Sequence, residues 1–421
     1  MHYKLTSSRS LKTESVLPDQ QFDIVVIGAG IVGLSAAMHL AQSFPRLKLA
    51  VIEKESGVAR HQSSHNSGVI HSGIYYKPGS LKARLCVEGA AAMKAFCCDH
   101  SLPIDVCGKV IVAATENELQ ALHALLDRGR INGLDGLQLL NREQLLEREP
   151  HCSGINALFV PMTGITDYAS VSEKYAEIFQ AQGGSLITSA EVIGLRKCAR
   201  ETIVHTRQGD SSSQYVINCA GLFSDRVGRM AGHPSNIMVV PFRGEYYDLV
   251  PSKQHLVRAL IYPVPDPRFP FLGVHFTRRV HGGVDAGPNA VLALKREGYC
   301  KTNISARDVF DEMRFPGFWR MASRHWRAAA GEYYRSLHKA AFVKALQRLL
   351  PEITSADLVP AGSGVRAQAL KRDGSLVDDF QFICADKMLH VYNVPSPAAT
   401  ASLVVGRAIM QMAQRAFDLV P

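Results

Sequence analysis

Apolar positions along this chain fall into two textures that mark two kinds of sheet. Near the start, Ile24, Val25, Val26 and Ile27 form an unbroken, β-branched run that predicts a strand buried on both faces, as in a parallel sheet. Residues 34–42, rich in Ala, Leu and Met, predict a helix, and Leu49, Ala50, Val51 and Ile52 predict a second buried strand. Helices follow at 80–99, where Leu81, Leu85, Ala92 and Phe96 share a face, at 116–130, and at 169–182, closed by Gly183 and Gly184. Strands are predicted at 109–114, 185–189, 202–206 and 214–218, the last running into Cys219, Ala220, Gly221 and a helix over 222–232. From residue 239, short β-like runs at 239–250, 260–263, 271–278 and 291–295 are broken by Pro and Gly, the pattern of an antiparallel sheet. Residues 305–351 read as helix. The first texture then returns, with a strand over 389–394 meeting Ser396, Pro397, Ala398, Ala399 and Thr400, entry chemistry for a helix over 401–416.

This order predicts an α/β fold, α+β overall. A Rossmann-like nucleotide-binding domain is assembled from discontinuous segments, and an antiparallel β-sheet domain with helices carries the substrate. The expected boundaries are a flexible tail over 1–21, nucleotide-domain segments over 22–80, 151–235 and 356–421, and substrate-domain segments over 81–150 and 236–355.

The first strand breaks into Gly28-Ala29-Gly30-Ile31-Val32-Gly33, and the second ends in Glu53, twenty positions after Gly33. A GxGxxG between strand and helix, with an acid about 20 residues on, is the arrangement that binds a dinucleotide. Gly28 makes the turn, Gly30 admits the pyrophosphate and Gly33 lets helix and strand pack closely. The helix start presents free N–H groups to phosphate, and Glu53 accepts from ribose hydroxyls. The same glycines also serve close packing alone. The polar stretch over 55–73 is long for a compact domain and reads as a loop beside the nucleotide, with His61, Ser63, Ser64, His65, Asn66, Ser67, Gly68, His71 and Ser72 as donors.

Composition adds limits. At 421 residues and 47% hydrophobic content, the chain is long and apolar enough for two cored domains. Nine cysteines without a CxxC pair are neither a disulfide framework nor a zinc site, so reduced thiols and no metal are expected. The first 21 residues lack the apolar core of a secretory signal. The net charge of +9 calls for an acidic partner: an anionic substrate, anionic lipid or nucleic acid. Between Arg314 and Arg348 stand eight Arg or Lys against one acid, Glu332, with Trp319 and Trp326 seven apart on one helical face. That combination fits a membrane-surface helix or a packing helix with a solvated basic side.

The GAGIVG with Glu53, the strand ending in Cys219-Ala220-Gly221, and the Ser396–Thr400 helix entry resemble, in this order, the D-amino-acid-oxidase-like superfamily of FAD-dependent oxidoreductases. Within it, the strings running from His65 to Tyr76, from Pro241 to Tyr246, from Phe271 to Thr277, from Gly287 to Ala290 and from Gly364 to Gln368 resemble the L-2-hydroxyglutarate dehydrogenase/oxidase family. Over about residues 22–416 the resemblance implies FAD as cofactor and oxidation of L-2-hydroxyglutarate to 2-oxoglutarate, with electrons passed to a membrane quinone or to oxygen. It implies a small dicarboxylate substrate, no nucleic-acid partner, and a cytoplasmic enzyme peripheral on the inner face of the cell membrane, or alternatively on the matrix side of the mitochondrial inner membrane. The oligomeric state is left open. Cofactor contacts are expected at Gly28, Gly30, Ile31, Val32, Gly33, Glu53, Lys54, Ser64, Asn66, Ser67, Gly68, Val192, Ala220, Gly221, Gly364, Arg366, Ser396, Pro397, Ala398, Ala399 and Thr400.

The chemistry asks for a base to take the hydroxyl proton and cations to hold carboxylates. His275, in an apolar strand, is the first candidate base and His71 the second. Arg243 and Arg366, set among Gly and apolar residues, are candidates for the two carboxylates of a five-carbon diacid, and an ion pair between Arg243 and Glu245 is the competing reading. Tyr75, Tyr262 and Lys295 are candidates for substrate hydrogen bonds. Two other functions share the cofactor signatures: an FAD oxidase of amino acids or other hydroxy acids, and an RNA-binding flavoprotein using the basic 314–348 stretch.

Overall fold

The computed structural model describes residues 20–233, 235–265 and 272–420. Strand Gln20–Ile27 lies at the centre of an eight-stranded sheet, parallel to Leu49–Ile52 on one side and to Gly209–Asn218 on the other. Ser185–Ile187 extends it in parallel beyond Leu49–Ile52, and Met388–Asn393 pairs in parallel with the end of Gly209–Asn218. The unbroken apolar run is explained by this position. Ile24 and Val26 face one core with Leu34, Leu40 and Ile409, while Val25 and Ile27 face a second with Ile52, Val204 and Val216. Helices Ile31–Ser43, Leu81–Asp99, Tyr168–Ala181 and Ser402–Ala416 cover the first face.

The second sheet has nine strands. Its order runs Val291–Leu292, Ile237–Leu249, Val284–Gly287, His275–Arg278, Leu260–Pro263, Lys109–Ala113, Asn156–Val160, Gln138–Asn141, and Leu358–Lys371 pairs antiparallel along Ile237–Leu249. Helix Lys339–Leu346 packs on one face through Phe342, Val343 and Leu346, against Val110, Ile261 and Phe276. A small sheet of Val69–Ile70, Gly164–Thr166 and Ile104–Asp105 is the third.

The two-sheet α/β architecture is as expected, but the boundaries shift. Helix Leu81–Asp99, expected in the substrate domain, buries Leu85, Ala90 and Met93 in the core of the parallel sheet. Strands Asn156–Val160 and Leu358–Lys371, expected in the nucleotide domain, belong to the antiparallel sheet. A strand's own pattern does not say which sheet it joins, so the crossing points were misplaced. The tail expected over 1–21 lies outside the described residues up to residue 19, and Gln20 is already paired with Ser211. Phe271 also lies outside them, and its strand starts at His275. The basic region forms three helices: Ala306–Met313, Pro316–Leu337 and Lys339–Leu346.

Candidate active site

The turn after Gln20–Ile27 is closed by contacts that only glycine allows. Gly28 holds φ at +104°, and a Cβ on it would stand 2.6 Å from the Cys219 carbonyl oxygen. A Cβ on Gly33 would stand 2.1 Å from the Gly28 oxygen. Gly30 instead borders a cavity of about 440 Å³, where a Cβ would stand 3.4 Å from Ser63 Oγ, and the wall includes Gly28, Gly30, Glu53, Lys54, Val192, Ala220 and Gly221, all expected from the sequence. Ser63, expected as a loop donor, also lines the wall, as do Arg60, Phe223, Arg226 and Arg307, which carry no signal in the sequence. Glu53 accepts the Ala29 N–H at 2.7 Å and the Glu55 N–H at 3.0 Å, which fixes its carboxylate and leaves lone pairs for a ligand. The Ile31 N–H donates to Ser63 Oγ at 2.9 Å, and Val32 packs on the core behind. Glu55, His61 and Glu297 converge as metal ligands would, but the Lys54 ammonium reaches Glu55 at 2.8 Å and Glu297 at 2.5 Å and makes the group an ion-pair network.

The polar loop is held by its own side chains. Asn66 donates to the Gln62 and Ser63 carbonyls at 2.9 Å and accepts the Gly68 N–H, so its polar atoms serve the turn. Ser64 is exposed and Ser67 half-buried. Strand Leu358–Lys371 lies against this loop: a Cβ on Gly364 would meet the His65 carbonyl at 2.3 Å, and the Ala367 N–H donates to Gln62 Oε1 at 2.9 Å. Residues 396–401, which include Ser396, Pro397, Ala398 and Ala399, form turns, and the helix itself begins at Ser402. Tyr76 hydrogen-bonds Ser396. Thr400 is buried, with its hydroxyl spent on the His71 N–H at 3.0 Å, Tyr168 at 3.0 Å and the Val69 carbonyl at 3.2 Å.

Beyond this seam, one face of the antiparallel sheet gathers titratable groups. Leu260 pairs with Lys109 on one side and Thr277 on the other, so side-chain alternation puts Lys109, Tyr262, His275 and Thr277 on the same face. The Tyr262 and His275 rings lie 3.9 Å apart, and the Tyr262 hydroxyl is 3.3 Å from Thr277 Oγ1. His275 Nδ1–H donates to the Gly273 carbonyl at 2.8 Å, which leaves the lone pair of the neutral ring on Nε2. Burial, reinforced by Arg366 and Lys109, pushes the His275 pKa down to about 3. His71 is likewise pushed down to about 3, by burial and then by Lys109, His275 and Arg366. Arg366 hydrogen-bonds the Tyr246 hydroxyl. Three buried polar atoms here have no partner among the described residues: His71 Nδ1, Tyr75 Oη and Lys109 Nζ. Unpaired buried groups cost stability, and their convergence on one face marks a place for a polar ligand.

Arg243 and Lys295 are elsewhere. Phe242 is the cross-strand partner of Arg366, and Arg243 that of Val365, so Arg243 points to the opposite face from Arg366. It is buried in an ion pair with Glu245 at 3.0 Å and donates to the Cys300 carbonyl. Lys295 lies past the short strand Val291–Leu292 and is exposed. The buried cation there is its neighbour Arg296, paired through both terminal nitrogens with Asp225.

The family pattern described as FAD dependent oxidoreductase (DAO) matches residues 23–412. The chain is 47% identical over 397 residues to the L-2-hydroxyglutarate dehydrogenase of Indibacter alkaliphilus, covering 94% of this chain and 100% of that one. It is 46% identical to the mitochondrial L-2-hydroxyglutarate dehydrogenase of Homo sapiens, covering 98% and 91%. This chain belongs to the L-2-hydroxyglutarate dehydrogenase family of FAD-dependent oxidoreductases. Its fold is shared with the FAD-bound L-α-glycerophosphate oxidase of Mycoplasma pneumoniae, at a TM-score of 0.77 and 20% identity over 95% of this chain and 96% of that one. Glycine oxidase of Geobacillus kaustophilus shares it too, at 0.70 and 18% over 94% and 95%.

FAD suits the residues of this family member. Gly30 carries no side chain toward the cavity, Arg60 and Arg307 supply positive charge for a pyrophosphate while Arg226 is held by Asp308 and Asp311, and Glu53 stands fixed for ribose. Sequence reasoning missed Lys109, Tyr246 and Thr277 as site residues. Lys109 carried a signal: it is the one charge in front of an apolar run over 110–113, and its side chain shares a face with buried Ile111 and Ala113.

Proposed function

We propose that this chain oxidises L-2-hydroxyglutarate to 2-oxoglutarate and passes the electrons to a membrane quinone or to oxygen. The observation that carries this reading is the likeness, along nearly the whole chain, to L-2-hydroxyglutarate dehydrogenases. FAD, when bound, supplies the two-electron acceptor for the hydrogen on C2. The chain supplies the rest. Neutral His275 receives the substrate hydroxyl proton at Nε2, because Nδ1 is committed to Gly273. Arg366, oriented by Tyr246, offers a fork to the carboxylate beside C2. Burial of Tyr262 and His275 keeps water from competing for these bonds. With a dye as electron acceptor, purified protein is expected to form 2-oxoglutarate from the L enantiomer and not from the D; turnover of an amino acid in its place would favour the oxidase alternative.

The reading extends to a membrane surface. None of the described helices is long and apolar enough to cross a bilayer. Helix Pro316–Leu337 nonetheless exposes Trp319 and Trp326, at 54% and 60%, together with Arg320, Arg324 and Arg327. An aromatic and basic exposed face matches contact with anionic headgroups. Neutralising these three arginines removes about 1 kcal/mol each of attraction, so affinity for anionic vesicles is expected to fall roughly a hundredfold in a sedimentation assay. Unchanged sedimentation would remove the surface from the account.

A further inference from the structure

Among the described residues, no hydrogen-bond or ion-pair partner meets the side-chain amine of Lys109. This residue opens strand Lys109–Ala113, inside the nine-stranded sheet, and is 0% exposed. Its Nζ lies over the Tyr75 ring at 4.4 Å and the Tyr262 ring at 5.2 Å, contacts that favour a cation but satisfy none of its three donors. A structural lysine in such a place would be expected to reach a carboxylate or a carbonyl.

Strand order gives the amine a direction. Counting across the sheet, Arg366 lies on the side of His275 taken by Leu358–Lys371, Ile237–Leu249 and Val284–Gly287, and Lys109 lies on the side taken by Leu260–Pro263 and Lys109–Ala113. Both cations act electrostatically on His275. The histidine therefore sits between two cations that approach from opposite flanks. Arg366 is the one on the strand docked to the nucleotide-side loop, through Gly364 and Ala367. A five-carbon diacid held over His275 then has its C1 carboxylate at Arg366 and needs a second cation for C5, the place Arg243 does not fill.

We propose that Lys109 binds the distal, C5 carboxylate of the substrate and makes this site selective for a dicarboxylic 2-hydroxy acid. The inference rests on the reading of the chain as a 2-hydroxy-acid dehydrogenase. It carries a proton linkage. The groups facing the amine are Tyr75 and Cys86 together with His71, Tyr262 and His275, none of them an anion at neutral pH. Burial lowers the Lys109 pKa to about 7 in the free protein. A carboxylate arriving at Nζ favours the ammonium, so above neutral pH diacid binding takes up a proton from solvent.

The test compares L-2-hydroxyglutarate with L-2-hydroxyvalerate, which keeps the five-carbon chain and lacks the C5 carboxylate. In Lys109→Met the ratio of their kcat/KM values is expected to fall roughly 10- to 100-fold, the loss of one charge-assisted bond, with Lys109→Arg restoring part of it. A ratio unchanged in a variant that retains flavin overturns the proposal. Should the variant lose flavin or fold, the wild type decides. Calorimetry of glutarate and of butyrate binding at about pH 8, in two buffers of different ionisation enthalpy, is expected to show proton uptake for glutarate alone. Equal proton exchange by the two ligands overturns the proposal. A wild type that oxidises neither hydroxy acid contradicts the functional reading itself, which separates the two failures.

Discussion

Replacing His275 by glutamine is expected to lower the rate of flavin reduction about 10²- to 10⁴-fold, the range over which a positioned general base acts. Glutamine can still donate to the Gly273 carbonyl that His275 Nδ1–H reaches at 2.8 Å, so the strand and the Tyr262 contact lose little. What it lacks is a basic nitrogen at the position of Nε2. Stopped-flow reduction under anaerobic conditions reads the effect directly, and an unaltered oxidised-flavin spectrum shows that the cofactor site is intact. The pH profile follows from the direction of the shift. With its pKa pushed down to about 3, His275 stays neutral and able to accept a proton throughout the range in which an ordinary histidine, at about 6.5, becomes charged. Wild-type kcat/KM is therefore expected to show no acid limb between about pH 5 and 7 arising from an imidazole. A glutamine variant reduced within threefold of the wild-type rate would move the base to His71, the other buried histidine beside Lys109.

Replacing Arg366 by methionine is the second large expected loss, about 10²- to 10³-fold in kcat/KM. Removing one partner of a buried charge pair costs roughly 3–5 kcal/mol, and part of that cost is recovered as the carboxylate finds the remaining donors. Arg366→Lys should recover only a fraction, because an ammonium lacks the planar two-point fork and the Tyr246 hydroxyl is placed for a guanidinium. The loss should fall on L-2-hydroxyglutarate and L-2-hydroxyvalerate alike, since both carry the C1 carboxylate, which distinguishes Arg366 from Lys109. A near-normal KM and kcat in Arg366→Met would remove it from the substrate site.

The parts of this protein that were legible in its sequence are those in which backbone chemistry demands a residue type. Gly28, Gly33 and Glu53 are of that kind, since a Cβ at either glycine would meet backbone oxygen and the glutamate answers two N–H groups of the same turn. His275 was legible as a titratable residue in an apolar run. Arg243 and Arg366 carried the same local signature, an arginine among glycines and apolar residues, and only the register separates them: Phe242, not Arg243, stands opposite Arg366. Lys109 carried a local signal, a charge heading an apolar run, but its burial comes from neighbouring strands that flank it on both sides of the sheet. Membership of Asn156–Val160 and Leu358–Lys371 in the antiparallel sheet is long-range pairing, which no local pattern states.

An anaerobic titration of the purified flavoprotein with each enantiomer of 2-hydroxyglutarate, following the oxidised-flavin absorbance, tests cofactor, substrate and stereochemistry together. Full bleaching by the L enantiomer is expected at about one equivalent per flavin, because each alcohol gives up two electrons, with 2-oxoglutarate as product and no bleaching by the D enantiomer. A yellow protein that keeps its colour with both would contradict it: the fold and the cofactor would stand, and the substrate would not.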